Sequence, residues 1–298
     1  LSRGFMEPVE DYWAIKPRQT TLRHRVWCSG VSLHSGKESR VELAPAPANT
    51  GVVFHMMQEN GEYTVIPAHI DYVRDGAFRT VLAKDKVKIS TTEHLLAAMS
   101  AMGIDNCIVQ VWGSEIPIFS GSAAEWFFLL GCAGKAELTE PRFYIQVLRE
   151  IIVEHRQTWC RLEPAPVFSL HYHLNYPHPK IRNQEFSFEL TETGFERQIA
   201  RARTFGFIED LDMLRQRNLA AGAGLHNTVV FDSERVVNQE GLLWQDEPVR
   251  HKIVDAIGDL QLAGAPLQAK FTGFQSGHTL NHRLVEKLFS DSRNWVWN

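Results

Sequence analysis

The chain lacks several features that would fix its class at a glance. Its four cysteines, Cys28, Cys107, Cys132 and Cys160, lie far apart and form no C-x-x-C pair. That spacing indicates neither a thiolate zinc knot nor a disulfide framework, and a reducing cytoplasm fits it. No apolar run approaches the roughly 18 residues that span a bilayer; Trp126 to Leu130 is far too short, and stable membrane insertion is not expected. Positive charge is not in excess either. With 31 basic against 35 acidic residues the net charge is -4, which argues against nucleic acid as a partner while leaving room for a local basic pocket. Leu1 to Gln19 holds Glu7, Glu10 and Asp11 and no apolar core, so it reads as an N-terminal extension of unassigned role rather than a secretory signal.

What remains is a globular composition, 44% hydrophobic and 22% charged over 298 residues, long enough for one large domain or two smaller ones. Strand-like alternation at Gly51 to His55 and Asn106 to Trp112 mixes with helical periodicity, which reads as α+β. The clearest helices are Glu93 to Met102, stopped by Gly103; Ser122 to Leu130; Pro248 to Leu262, stopped by Gly264; and His278 to Phe289. An internal echo links the halves. Glu93 to Leu130 runs helix, strand, Ser120-Gly121 loop, helix, and His251 to Phe289 runs helix, strand, Ser276-Gly277 loop, helix, which predicts two related units. Leu-Thr-Glu-Pro within Glu137 to Arg142 reads as the connector between them, dividing the chain into residues 20–138 and 139–298, ahead of a strand-like Phe143 to Val153. The Pro-rich His171 to Pro179 reads as a loop, because proline removes ladder donors.

Three segments carry groups suited to chemistry. In His251-Lys-Ile-Val-Asp255-Ala-Ile-Gly-Asp259 the polar residues recur every fourth position, one face of a helix, and an imidazole and a carboxylate so spaced can share a metal. An ordinary solvated stripe has the same spacing. Ser90-Thr-Thr-Glu93-His94 opens a helix with an adjacent carboxylate and imidazole, the pairing of ligand and base used by catalytic zinc sites; a Ser90/Glu93 capping box would also explain it. Ser276-Gly277-His278 opens the last helix, where the helix dipole lowers a histidine pKa unless a carboxylate such as Asp259 restores the proton. With thirteen histidines in the chain, none of these segments decides the matter alone.

Taken in order, however, the stretches Thr20-Thr-Leu, Gly30-Val-Ser-Leu-His34-Ser-Gly, Pro45 to Gly51, Ser90 to His94, Gly103-Ile-Asp-Asn106 and Glu115-Ile-Pro-Ile118 resemble a known family. They continue as His178-Pro179, Ala202-Arg-Thr-Phe-Gly-Phe207, His251 to Asp259 and Ser276-Gly-His278. The family is the zinc-dependent UDP-3-O-acyl-N-acetylglucosamine deacetylases of bacterial lipid A biosynthesis, and the resemblance runs from about Thr20 to Phe289. It implies two topologically similar β/α two-layer sandwich domains with the active site in the cleft between them. It further implies that His94, His251 and Asp255 ligate Zn2+, that Glu93 is the general base, and that His278, oriented by Asp259, and Thr204 support the oxyanion. Glu93 or His278 would protonate the leaving amine. Lys252, Phe205 and Phe207 would contact the acylated UDP-sugar, whose acyl chain would lie along an insertion at about residues 205–225 offering Ile208, Leu211, Met213 and Leu214; a core helix would show the same stripe. A cytoplasmic monomer is expected.

Two positions depart from the family pattern. Ser120 stands where Asp is common, and His226 where an acidic residue commonly precedes Asn227; both bear on turn packing rather than on the metal or acid/base positions. A catalytically silent binding relative would have lost part of the set Glu93, His94, Thr204, His251, Asp255, Asp259 and His278, which is complete here. The same ligand triad can hold Fe2+, but Glu93 beside His94 favours hydrolysis over oxygen chemistry.

Overall fold

The computed structural model describes residues 17–58, 60–76 and 78–298. Its first unit contains strands β1 (Arg18–Leu22), β2 (Val26–Val31), β3 (Glu38–Pro45), β4 (Val52–Met57) and β5 (Tyr63–Pro67). There follow a small meander of β6 (Val73–Arg74), β7 (Val81–Lys84) and β8 (Val87–Ser90), then helix α1 (Glu93–Met102), β9 (Cys107–Trp112), α2 (Ala124–Ala133) and β10 (Lys135–Pro141). The second unit contains β11 (Ile145–Val147), β12 (Ile151–His155), β13 (Thr158–Pro164), β14 (Ser169–Leu174) and β15 (Gln184–Glu189). An insertion then carries α3 (Glu192–Gln198), β16 (Phe205–Phe207), α4 (Leu211–Gln216) and β17 (Val229–Phe231). The chain closes with α5 (Glu247–Leu260), β18 (Leu267–Phe274), α6 (His278–Phe289) and β19 (Trp295–Trp297).

The two main sheets share one plan. In the first the order is β2-β3-β9-β4-β5, with β4 parallel to β9 and the other neighbours antiparallel. In the second, β12-β13-β18-β14-β15 repeats that order with the same senses, β14 being parallel to β18. The internal echo therefore reflects a repeated topology. Alternation builds each sheet face: in β9, Cys107, Val109 and Val111 are buried while Ile108, Gln110 and Trp112 are half-exposed. The buried row joins Leu95, Leu96 and Met99 of α1 and Trp126 and Leu130 of α2 in a core continuous with that of the second unit. Each such fully buried side chain contributes about 1.5–3 kcal/mol relative to exposure.

The helices α1 and α5 pack against each other and join the units. Their approach is unusually close at Gly258, where an added Cβ would lie 2.0 Å from the Glu93 carbonyl oxygen. Glycine is required there because any side chain would push the two helices apart. α1 ends as expected at Gly103, in the left-handed conformation that glycine adopts without steric cost.

Several expectations are corrected. Lys135–Pro141 is no free connector but a strand paired with β1, and β1 begins at Arg18, inside the stretch read as an extension. Neither could be seen locally, because the partners are far apart in sequence. The extension itself, up to residue 16, lies outside the described residues. His171 to Leu174 belongs to β14, and Pro177 and Pro179 fall in the loop after it. Phe143 to Val153 divides into β11 and β12. No helix among the described residues is long and apolar enough to cross a membrane.

Candidate active site

The entry of the chain into α1 is shaped by one buried carboxylate. Glu115 accepts hydrogen bonds from His34 N (2.9 Å), Ser35 N (2.9 Å) and Thr91 Oγ1 (2.9 Å). Thr91 is thereby held at φ 61°, a left-handed conformation costly for a β-branched residue. Glu93 and His94 then form the first turn of α1, both buried. The capping box is not formed. The N-cap is Thr92, without a side-chain cap bond, and Glu93 Oε2 instead accepts from Thr80 N at 3.2 Å.

On α5 the stripe His251, Asp255 and Asp259 is not solvated: all three are buried against α1 and the insertion. Asp255 Oδ1 lies 3.6 Å from His94 Nε2 and 3.3 Å from His251 Nε2, and the three donor atoms fall within 4.8 Å of one another. His251 Nδ1 is hydrogen-bonded to Ala202 O at 2.9 Å; because a carbonyl can only accept, Nδ1 donates and Nε2 is the ring nitrogen turned toward His94 and Asp255. Burial lowers the His94 pKa, Asp255 opposing, which keeps that ring neutral. Burial alone would raise Asp255, but His251 and Lys252, whose Nζ donates to Oδ2 at 2.9 Å, hold it well below the usual carboxylate range. Two imidazoles and an ionised carboxylate, buried and converging, are the kind of donor set that a divalent metal takes.

A second cluster adjoins this one. Asp259, wholly buried, accepts from His278 Nδ1 (2.8 Å), Asn281 Nδ2 (2.8 Å) and Thr80 Oγ1 (2.6 Å), with His282 Nε2 at 3.3 Å. Burial would raise its pKa, but His278 and His282 outweigh that and hold it well below normal. Burial likewise would lower His278, yet Asp259 overrides it and lifts the imidazole to about 9. The expected pairing of His278 with Asp259 is thus present in the geometry. His278 Nε2 lies 3.9 Å from Glu93 Oε1. Burial pushes Glu93 up to about 7, with His278 opposing and Asp259 reinforcing. A carboxyl with that pKa can take up and release a proton near neutrality, beside an imidazole that stays charged.

The segment after α3 borders the metal-type triad. Arg203 and Glu247, a buried pair at 2.8 Å, pin it to the start of α5, while Thr204 N donates to Gly121 O at 2.7 Å and Val229 N to Thr204 O at 2.8 Å. Gly121, at φ +83°, has no room for a Cβ, which would lie 1.9 Å from Asn227 O. The two departures from the family pattern flank this junction: Ser120 Oγ bonds Ser122 Oγ at 2.9 Å, and His226 is exposed beside Asn227. Phe205 and Phe207 join Tyr176, His178 and Phe231 in an aromatic cluster reaching His251, its ring centroid 6.5 Å from that of Phe205. Ile208, Leu211, Met213 and Leu214 are not buried, so the core-helix reading of their stripe fails. The end of the insertion docks elsewhere: Gly222 N donates to Leu33 O (2.9 Å) and Ala221 N to His34 O (3.1 Å).

All ten residues singled out from the sequence lie on these adjoining elements. Thr80, Asn281 and His282, which complete the Asp259 cluster, were missed, as was the spacing role of Gly258. His282 had one legible signal, its position four residues after His278; Thr80 and Asn281 had none.

Comparison with known proteins shows the family. The family profile described as UDP-3-O-acyl N-acetylglycosamine deacetylase matches residues 19–290. The chain is 42% identical over 280 residues to the UDP-3-O-acyl-N-acetylglucosamine deacetylase of Thioalkalivibrio sulfidiphilus, covering 93% of this chain and 92% of the relative. It is 40% identical over 281 residues to the protein of the same name from Acidithiobacillus ferrooxidans, with the same coverage of 93% and 92%.

Proposed function

The chain belongs to the UDP-3-O-acyl-N-acetylglucosamine deacetylase family, and from that premise we propose that His94, His251 and Asp255 hold a catalytic zinc ion while Glu93 and His278 manage the protons. The protein is an amide hydrolase that removes the N-acetyl group from UDP-3-O-acyl-N-acetylglucosamine in lipid A biosynthesis, releasing acetate and a free amine. The observation that carries the residue assignment is the buried convergence of the three donor atoms within 4.8 Å beside a Glu93–His278 pair at 3.9 Å.

A divalent ion held by His94, His251 and Asp255 would supply Lewis-acid polarisation and would lower the pKa of a bound water to about 7. Glu93 takes the proton of the attacking water, its own pKa of about 7 matching the task. His278, charged up to a pKa of about 9, and the Thr204 hydroxyl stabilise the oxyanion. Loss of one such donor costs about a hundredfold or more in rate. Glu93 or His278, 3.9 Å apart, then gives a proton to the leaving nitrogen. Lys252 braces Asp255 and, with Phe205 and Phe207, meets the substrate; the half-buried aromatic cluster leads the acyl chain away from the reacting carbon. We place the boundary between the two domains after β10 (Lys135–Pro141), just beyond the division at 138/139 expected from the sequence. We place the enzyme in the cytoplasm as a monomer without nucleic-acid partners or stable membrane insertion, supported by its slight negative charge and unpaired cysteines.

Removing metal with a chelator abolishes acetate release from the acylated UDP-sugar, and added Zn2+ restores it. Full activity in metal-free protein overturns the assignment.

A further inference from the structure

Thr80 is wholly buried, and each of its polar functions is engaged at the active site. Its N–H donates to Glu93 Oε2 at 3.2 Å, and its carbonyl accepts from Thr91 N at 2.9 Å, across the strained turn that opens α1. Its hydroxyl lies 2.6 Å from Asp259 Oδ1 and 3.1 Å from His282 Nε2. An ionised carboxylate only accepts, so the hydroxyl proton goes to Asp259 and the oxygen lone pair receives His282 Nε2–H. Thr80 thus bridges His282 and Asp259 and fixes the rotation of the Asp259 carboxylate.

Three hydrogen bonds and one 3.9 Å ion-pair contact complete a circuit. It runs from Thr80 N to Glu93 Oε2, from Glu93 Oε1 to His278 Nε2, from His278 Nδ1 to Asp259 Oδ2, and from Asp259 Oδ1 back to Thr80 Oγ1. Glu93 and Thr80 come from the first unit, Asp259 and His278 from the second. We infer that Thr80 is a positioning residue for the reaction, setting the orientation of the base Glu93 and of the Asp259 carboxylate that holds the His278 proton. This rests on the deacetylase reading of Glu93 and His278 and extends it to the contact that registers one against the other across the seam. A side chain that served only to fill space would need the methyl of Thr80 and not its hydroxyl, which makes the two roles separable.

The test uses the metal-loaded enzyme. Thr80→Val keeps the shape and removes the hydroxyl; it lowers kcat about 10–100-fold, the usual cost of deleting a contact that orients a catalytic group, with KM and bound metal little changed. Thr80→Ser restores most of kcat. In an Asp259→Asn background the further loss from Thr80→Val is small, because the hydroxyl acts through that carboxylate. Should Thr80→Val fold poorly, Thr80→Ala is read the same way, per metal-loaded molecule. The inference is overturned by wild-type kcat in the hydroxyl-less variants, by Thr80→Ser being as impaired as Thr80→Val, by a loss carried in KM or in metal content, or by additivity with Asp259→Asn. A Glu93→Gln control separates the two levels. If that variant releases acetate at the wild-type rate, the acid/base assignment itself fails; if it is slow while Thr80→Val is normal, the role of Thr80 alone fails.

Discussion

The two units repeat the same five-strand order, extended by β11 and β19 in the second, and each sends a helix into the shared seam, yet α1 and α5 carry their ionisable groups in different ways. In α1 they are confined to the first turn, Glu93 and His94, and Leu95 to Met99 behind them are completely buried. In α5 they run the length of the helix as His251, Asp255 and Asp259, with Ile253, Val254 and Ile257 among the core residues. The difference follows from what surrounds each helix. The Thr91 turn sets the start of α1, where the helix dipole favours an anionic Glu93. α5 is flanked by the insertion, whose Ala202 carbonyl fixes His251 and whose Arg203 pairs with Glu247. The repeat supplies a symmetric scaffold, and the insertion and the Thr91 turn make its two halves chemically unlike.

That division can be broken at three levels. The largest effect is expected at Glu93: Glu93→Gln lowers kcat by about 10²–10⁴-fold while metal analysis finds the ion retained. Loss of the ion along with activity would make Glu93 a ligand and erase the distinction between the base on α1 and the ligands. Gly258→Ala comes next. Its Cβ collides with the Glu93 backbone, and overpacking of this kind costs about 1–3 kcal/mol, read as a lower melting temperature together with reduced kcat in the metal-loaded enzyme. Unchanged stability would show that the helices are free to separate there. The mildest perturbation is pH. Glu93 must be unprotonated to act as base, so kcat/KM falls as pH drops below about 7; His278 must be protonated, so it falls again above about 9. In Asp259→Asn the alkaline limb moves to lower pH, because the carboxylate that raises His278 is gone. An alkaline limb that stays in place would assign it to another group.

The helices were legible because glycine punctuates them: α1 stops at Gly103 and α6 begins after Gly277, where the sequence reading put both boundaries. Strands were less so. β10 was read as a linker, since a two-stranded pairing with β1 leaves only a weak alternation and its partner is distant in sequence. Prolines at 177 and 179 led the reading of β14 astray by drawing the loop back over His171 to Leu174. In the site, motif-bearing residues were named from their spacing and their resemblance to a family, whereas Thr80 and Asn281 are single polar residues whose roles arise from neighbours on other elements.

The sequence by itself determined the main helices, the repeated helix-strand-helix plan, the family, and the identities of the groups available for chemistry, because these depend on local periodicity and residue order. It left His94 explicable as a capped helix residue and His251 and Asp255 as a surface stripe. Only the tertiary structure decided between those readings. The close approach of α1 and α5 at Gly258 turns both polar faces inward and removes water from them. It is this burial, with the partners it enforces, that brings three candidate ligand atoms within 4.8 Å and raises Glu93 to about 7 and His278 to about 9, quantities that no spacing along a chain can specify.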